Sequence, residues 1–109
     1  MLEKSRELSQ ILGECILSCN DCMNACLEEE HVKMMKECIR LDNECSVVCS
    51  ATLQLAHRDS HLMKDVLELC AKVCEACANE CNKHAISHCK ECAKICTKCA
   101  ETCREFINK

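Results

Sequence analysis

The residues of this chain that can do chemistry are its cysteines, sixteen in 109 positions. Cys15, Cys19, Cys22 and Cys26 follow the spacing C-x3-C-x2-C-x3-C, and Cys70, Cys74, Cys77 and Cys81 repeat it. Cys89, Cys92, Cys96, Cys99 and Cys103 extend it to five, whereas Cys38, Cys45 and Cys49 form a sparser set. Thiolates are soft ligands that select Cu(I), zinc and iron–sulfur clusters. Disulfide pairing is the other use of so many thiols. It fits poorly here: residues three or four apart on a helix hold their Cβ atoms ~5–6 Å apart, and a disulfide needs roughly 3.5–4.5 Å. Disulfide scaffolds are also rich in turns, and this chain has no Pro and one Gly, Gly13. Its first residues, Met1-Leu2-Glu3-Lys4-Ser5-Arg6, carry no apolar export signal. The expectation is a reduced, cytoplasmic protein.

Steps of three and four put every thiol of a run on one face of a helix. Ala, Leu, Glu and Lys fill the intervening positions and favour helix. The periodicity predicts helices over roughly 3–28, 32–57, 60–83 and 87–107. Asp59 and Ser60 are suited to cap the third helix, and Asn82 and Ser87 bracket the last connection. Connections this short make neighbouring helices antiparallel. The predicted fold is therefore all-α: an antiparallel, up-down-up-down four-helix bundle with a Cys-lined core. It is expected to form a single domain over 1–109, built from two hairpins of roughly 3–57 and 60–107. A shift of 55 residues lays Cys15, Cys19, Cys22 and Cys26 on the Cys70–Cys81 run, and Leu8, Ile11 and Leu12 on Met63, Val66 and Leu67. A shift of 54 lays Cys38, Cys45 and Cys49 on Cys92, Cys99 and Cys103. The repeat fails at Met34, Met35 and Asp42, which fall on His88, Cys89 and Cys96.

Helix direction polarises the core. The thiols sit late in the first and third helices and begin early in the second and fourth, which is one end of an antiparallel bundle. Leu2, Leu8, Ile11, Leu53, Leu55, Leu62, Val66, Leu67, Phe106 and Ile107 are expected to plug the other end. Cys89 to Cys103 alone spans about 21 Å of helix at ~1.5 Å per residue. Ions must then pass the Cys-rich end, where His31, Met34, Met35, His84 and His88 map. Imidazole and thioether are soft ligands suited to that mouth, and ordinary surface His and core Met are the alternative. Asp42, in a cysteine slot of the second helix, either hydrogen-bonds a thiol or turns to the rim. Leu41, Val48 and Leu55 form a second stripe, either core flank or a surface for homo-oligomerisation.

Composition closes off other classes. The net charge is −4 with both signs interspersed, and Phe106 is the one aromatic residue. Nucleic acid needs cationic surface and stacking groups, and no apolar run approaches the ~18 residues of a membrane span. No nucleic-acid or membrane partner is expected. Nor is an enzyme: a reactive cysteine needs exposure and a base or helix N-terminus beside it, and these thiols lie mid-helix and inward. Charge then chooses among metals. No Lys or Arg falls on the thiol stripes, and uncompensated buried charge is prohibitive. Zinc with four thiolates leaves a double negative charge at each site. Cu(I) at about one ion per thiolate leaves a neutral core, with bridging thiolates spreading ions along the sulfur surface. A zinc or cadmium buffer and a thiol redox protein are the alternatives.

The three four- and five-cysteine runs, with the helical pattern around them, resemble the cytosolic copper storage proteins of bacteria. The resemblance covers nearly the whole chain. It implies a four-helix bundle that stores many Cu(I) ions on its cysteines, buffers copper in the cytosol for later release, and assembles as a homotetramer. The second helix departs from it, with three cysteines and Asp42.

Overall fold

A computed structural model describes residues 2–108, and side-chain placement is described for 6–108. Four helices run over Leu2–Leu27 (α1), Lys36–His57 (α2), Met63–Cys81 (α3) and Ser87–Ile107 (α4). They form a rod of 45 × 18 × 18 Å. α1 lies between α2 and α4, and α3 lies between the same two on the opposite side. Thiol contacts fix the directions. Cys26, at the end of α1, meets Cys38 at the start of α2, and Cys15 meets Cys45. Cys38 also meets Cys81 at the end of α3, and Cys22 meets Cys89 at the start of α4. Every adjacent pair is therefore antiparallel, as the short connections predict.

The boundaries differ from expectation in two places. Val32–Met35 is a 3-10 turn, so the α-helical part of the second helix starts only at Lys36. The third helix starts at Met63 with Leu62 at its N-cap and no side-chain cap, in place of Asp59 or Ser60. Asp59 instead takes the left-handed conformation, φ 53°, which Asp tolerates better than most residues. It reverses the chain directly after α2 and leaves Ser60 inside the turn, where its Oγ accepts from the Leu62 N–H at 3.1 Å.

One core runs the length of the bundle. Its aliphatic end holds Leu8, Ile11, Leu12 and Leu67 buried, with Leu53, Met63, Phe106 and Ile107 packed against them. Each fully buried leucine contributes about 1.5–3 kcal/mol, which supports the rod where no sulfur is present. Four residues expected in this plug are not found packed there: Leu62 is 47% exposed in the turn, Leu55 and Val66 are half-buried outside the core cluster, and the Leu2 side chain lies outside the described ones. Leu41 and Val48 pack as core flank beside the α2 stripe. The exposed apolar side chains of the bundle include Leu17, Val47 and Leu69 instead.

Candidate metal centre

Helix periodicity turns all sixteen thiols inward. Cys22 is 1% exposed and the other fifteen are wholly buried. All are free thiols. Thirteen of the sulfurs lie in van der Waals and weak hydrogen-bonding contact with another at 3.6–4.0 Å, far beyond a covalent S–S bond of ~2.05 Å. The shortest contacts are Cys38–Cys81 and Cys45–Cys74, both 3.6 Å.

At contacts within 4.0 Å the sulfur surface divides into two clusters, which Cys22 and Cys81, each with its sulfur within 4.8 Å of that of Cys92, link more loosely. Contacts within 4.0 Å join Cys22, Cys26, Cys38, Cys81 and Cys89 into a cluster at the loop end. A second, inner cluster joins Cys15, Cys19, Cys45, Cys49, Cys70, Cys74, Cys92 and Cys96. Cys99 extends the inner cluster toward the aliphatic end, with its sulfur within 4.8 Å of those of Cys15, Cys49 and Cys74. Cys103 lies one turn further along α4, buried at the aliphatic side.

Asp42 joins the two clusters. It is 0% exposed, so of the two positions open to it in the sequence it takes the thiol network and not the rim. Its Oδ1 accepts from Cys77 at 3.2 Å, Cys92 at 3.5 Å and Cys81 at 3.7 Å, and its Oδ2 from Cys38 at 3.9 Å. Cys77 and Cys92 thereby connect inward while Cys38 and Cys81 connect outward. Burial, reinforced by the charge that Cys92 would carry as a thiolate, pushes the carboxyl up to about 8. The empty core thus holds Asp42 largely neutral at pH 7. Burial, reinforced by the charge of Cys38, likewise pushes Cys89 up to about 11 and raises Cys26. Cys26 and Cys89 stay protonated until an ion replaces the proton. Asp42 sits four residues after Cys38 and three before Cys45, and the repeat lays it on Cys96, which are the signs in the sequence that it belongs to the stripe. Its neighbours come from α3 and α4 and are invisible to that spacing.

The mouth residues divide by role. His88 is half-buried and aims Nδ1 at two sulfurs, Cys22 and Cys89, each at 3.6 Å. Its Nε2 is buried without a hydrogen-bond partner, 3.8 Å from the Glu29 carboxylate. His84 is held 3.0 Å from Glu80, which Lys83 also approaches at 3.3 Å. His31, Met34, Met35 and His84 line one cleft with Glu29 and Glu30. Within it Met35 is buried at 3% exposure and Met34 stands out at 73%. The fold thus brings the five candidate mouth ligands to one end, and of these His88 makes hydrogen-bonding contacts to thiols. Glu80, which holds His84, and Glu29, beside His88, carry no distinguishing signal in the sequence. His57 lies at the far end, 3.0 Å from the Ser9 hydroxyl.

Several four-residue groups have the ligand atoms to surround an ion. They include Cys15, Cys19, Cys45 and Cys96, and Cys22, Cys26, Cys38 and Cys89. Cys22, Cys81 and Cys92 form another such group with Asp42. With no buried cation among the described residues, the core favours a total charge of zero, and the bridging distances between sites suit soft monovalent ions in number.

Comparison with known proteins agrees with this chemistry. A family model described as copper storage protein matches residues 1–108. The cysteine-rich protein YhjQ of Bacillus subtilis is 46% identical over 77 residues, 71% of each chain. The Cu(I)-bound copper storage protein 3 of Bacillus subtilis superposes with a TM-score of 0.90 at 42% identity, over 94% of this chain and 96% of that one. A cytosolic copper storage protein of Streptomyces lividans, loaded with five coppers, superposes with a TM-score of 0.95 at 34% identity, over 98% and 94%.

Proposed function

Because the chain belongs to the copper storage protein family, we propose that all sixteen of its cysteines are Cu(I) ligands, filled through the end that carries His31, Met35, His84 and His88. Its function is copper storage, and its cargo is Cu(I) in multiple ions per chain. The family is one of storage proteins and not of enzymes. The complete burial of the thiols carries the reading. A buried thiolate has no exposed nucleophile to offer a substrate, and a neutral Cu(I)–thiolate core is the form of loading that leaves no uncompensated charge.

Loading proceeds by proton exchange. An ion meets the His88 imidazole beside Cys22 and Cys89, displaces thiol protons, and shifts inward past Asp42 to the eight-sulfur cluster. The Asp42 carboxyl supplies the one oxygen along that path and accepts from the thiols on both sides of it. The bundle stays folded throughout, since its aliphatic end needs no metal. This differs from zinc fingers, where binding is folding. One domain over 1–109, made of two similar hairpins, a cytoplasmic location and a homotetrameric assembly complete the proposal. The location is supported by the cytosolic Streptomyces lividans relative, and the described residues contain no helix long and apolar enough to cross a membrane.

An anaerobic Cu(I) titration of the reduced protein against a chromophoric chelator tests this. Uptake should approach one ion per thiolate, about sixteen per chain, with far-UV circular dichroism nearly unchanged. Saturation far below the thiol count, or displacement of Cu(I) by equimolar zinc, would overturn it.

A further inference from the structure

The inner cluster contains closed triangles of sulfur, and we infer from them that the empty protein also binds trivalent arsenic, three cysteines to each atom. Cys45, Cys49 and Cys74 lie 3.9, 3.6 and 3.7 Å apart. Cys19, Cys92 and Cys96 lie 4.0, 3.7 and 3.8 Å apart. Each triangle takes two thiols four residues apart on one helix and closes with a third from a neighbouring helix. Cys70 forms a further triangle with Cys49 and Cys74, at 3.7, 3.7 and 4.0 Å. It shares two sulfurs with the first, so the two cannot be filled together.

Charge and desolvation choose the ligand. These six thiols are wholly buried, and no Lys, Arg or His is buried among the described residues. A site formed here must end neutral. A divalent ion in a three- or four-thiolate site leaves negative charge behind, whereas a trivalent centre with three thiolates leaves none. Three-coordinate arsenic is satisfied by one triangle and asks for no fourth ligand. Its precursor, arsenous acid, is an uncharged trihydroxide at neutral pH and so approaches a dry core without the desolvation cost of an ion. The step balances without redox change. Three S–H and three As–O bonds break, three As–S and three O–H bonds form, and three waters leave. The protons come from the thiols themselves, so no base is required.

The two sites differ. Cys45, Cys49 and Cys74 have sulfur neighbours only, whereas Cys92 donates to Asp42 at 3.5 Å and gives up that bond on binding. The first triangle fills first.

Native mass spectrometry of the reduced, copper-free protein with sodium arsenite tests the inference. Two adducts are expected, each heavier by one arsenic and lighter by three hydrogens, together with loss of six titratable thiols. Cys74→Ser and Cys96→Ser should each keep one adduct, and Cys103→Ser, outside every triangle, should keep both. Cys49→Ala and Cys19→Ala serve the same two triangles if either serine variant loses its helical circular dichroism. Absence of adducts in the wild type, a mass showing fewer than three hydrogens lost, or two adducts retained by folded triangle variants would overturn it. So would loss of an adduct in Cys103→Ser. The Cu(I) titration is independent of these outcomes.

Discussion

Replacing Asp42 with Asn should remove a specific pH dependence from the stability of the empty bundle. The carboxyl has an ordinary value of 3.8, is wholly buried, and is pushed up to about 8 by burial and by the charge of Cys92. Between those two values the folded state holds a proton that the unfolded chain has released. Raising the pH therefore favours unfolding. The stabilisation is fully present below about pH 4 and is lost as pH rises through about 8. One proton corresponds to about 1.4 kcal/mol per pH unit, so several kcal/mol accumulate across the window. Asn keeps the volume and the capacity to accept from Cys77, Cys81 and Cys92, yet it does not titrate. Urea unfolding of the reduced, metal-free protein at a series of pH values from 5 to 7.5 should show wild-type stability falling about 1 kcal/mol or more per unit relative to Asp42→Asn. The exposed carboxylates and histidines are common to both proteins and cancel in the difference. Parallel stability profiles for the two proteins would refute the argument and mean that Asp42 is ionised in the empty core.

Two further outcomes follow from the polarity of the rod. His88→Ala removes the imidazole that faces Cys22 and Cys89 at 3.6 Å. Stopped-flow uptake of the first Cu(I) should slow by about tenfold, equivalent to ~1.4 kcal/mol on the loading barrier, while final capacity holds; unchanged rates would place the mouth elsewhere. Leu12→Ala empties a fully buried position at the aliphatic end and should cost about 2–5 kcal/mol. Thermal unfolding of the empty protein should drop by roughly 10 °C or more, with Cu(I) capacity retained, and a loss of capacity would show that the plug and the store are not separable.

The sequence by itself determined the helices and what they carry inward. A repeat at steps of three and four admits one secondary structure, and short connections admit one arrangement of neighbours. The absence of Lys and Arg from the thiol stripes already favours a neutral core, and with it a soft monovalent cargo over zinc or cadmium. The polarity of the rod was equally legible, because Leu8, Ile11 and Leu12 precede the thiols on α1 and Phe106 and Ile107 follow them on α4. Turn geometry was not, since Asp59 can cap a helix or take a left-handed φ, and the local sequence permits both.

Only the tertiary structure decided which sulfurs touch. Periodicity places a thiol on a face, but its partners across the bundle depend on the rotation and axial offset of four helices, which are set by packing of the whole core. That is why Asp42, an exception in a repeat, is found accepting from thiols on three helices, including its own. It is also why His88, one of five residues near a mouth, alone reaches two sulfurs. At 4.0 Å the thiol channel divides into two clusters bridged by a carboxyl, because an oxygen stands where the repeat calls for a sulfur, and Cys22 and Cys81 approach Cys92 only within 4.8 Å.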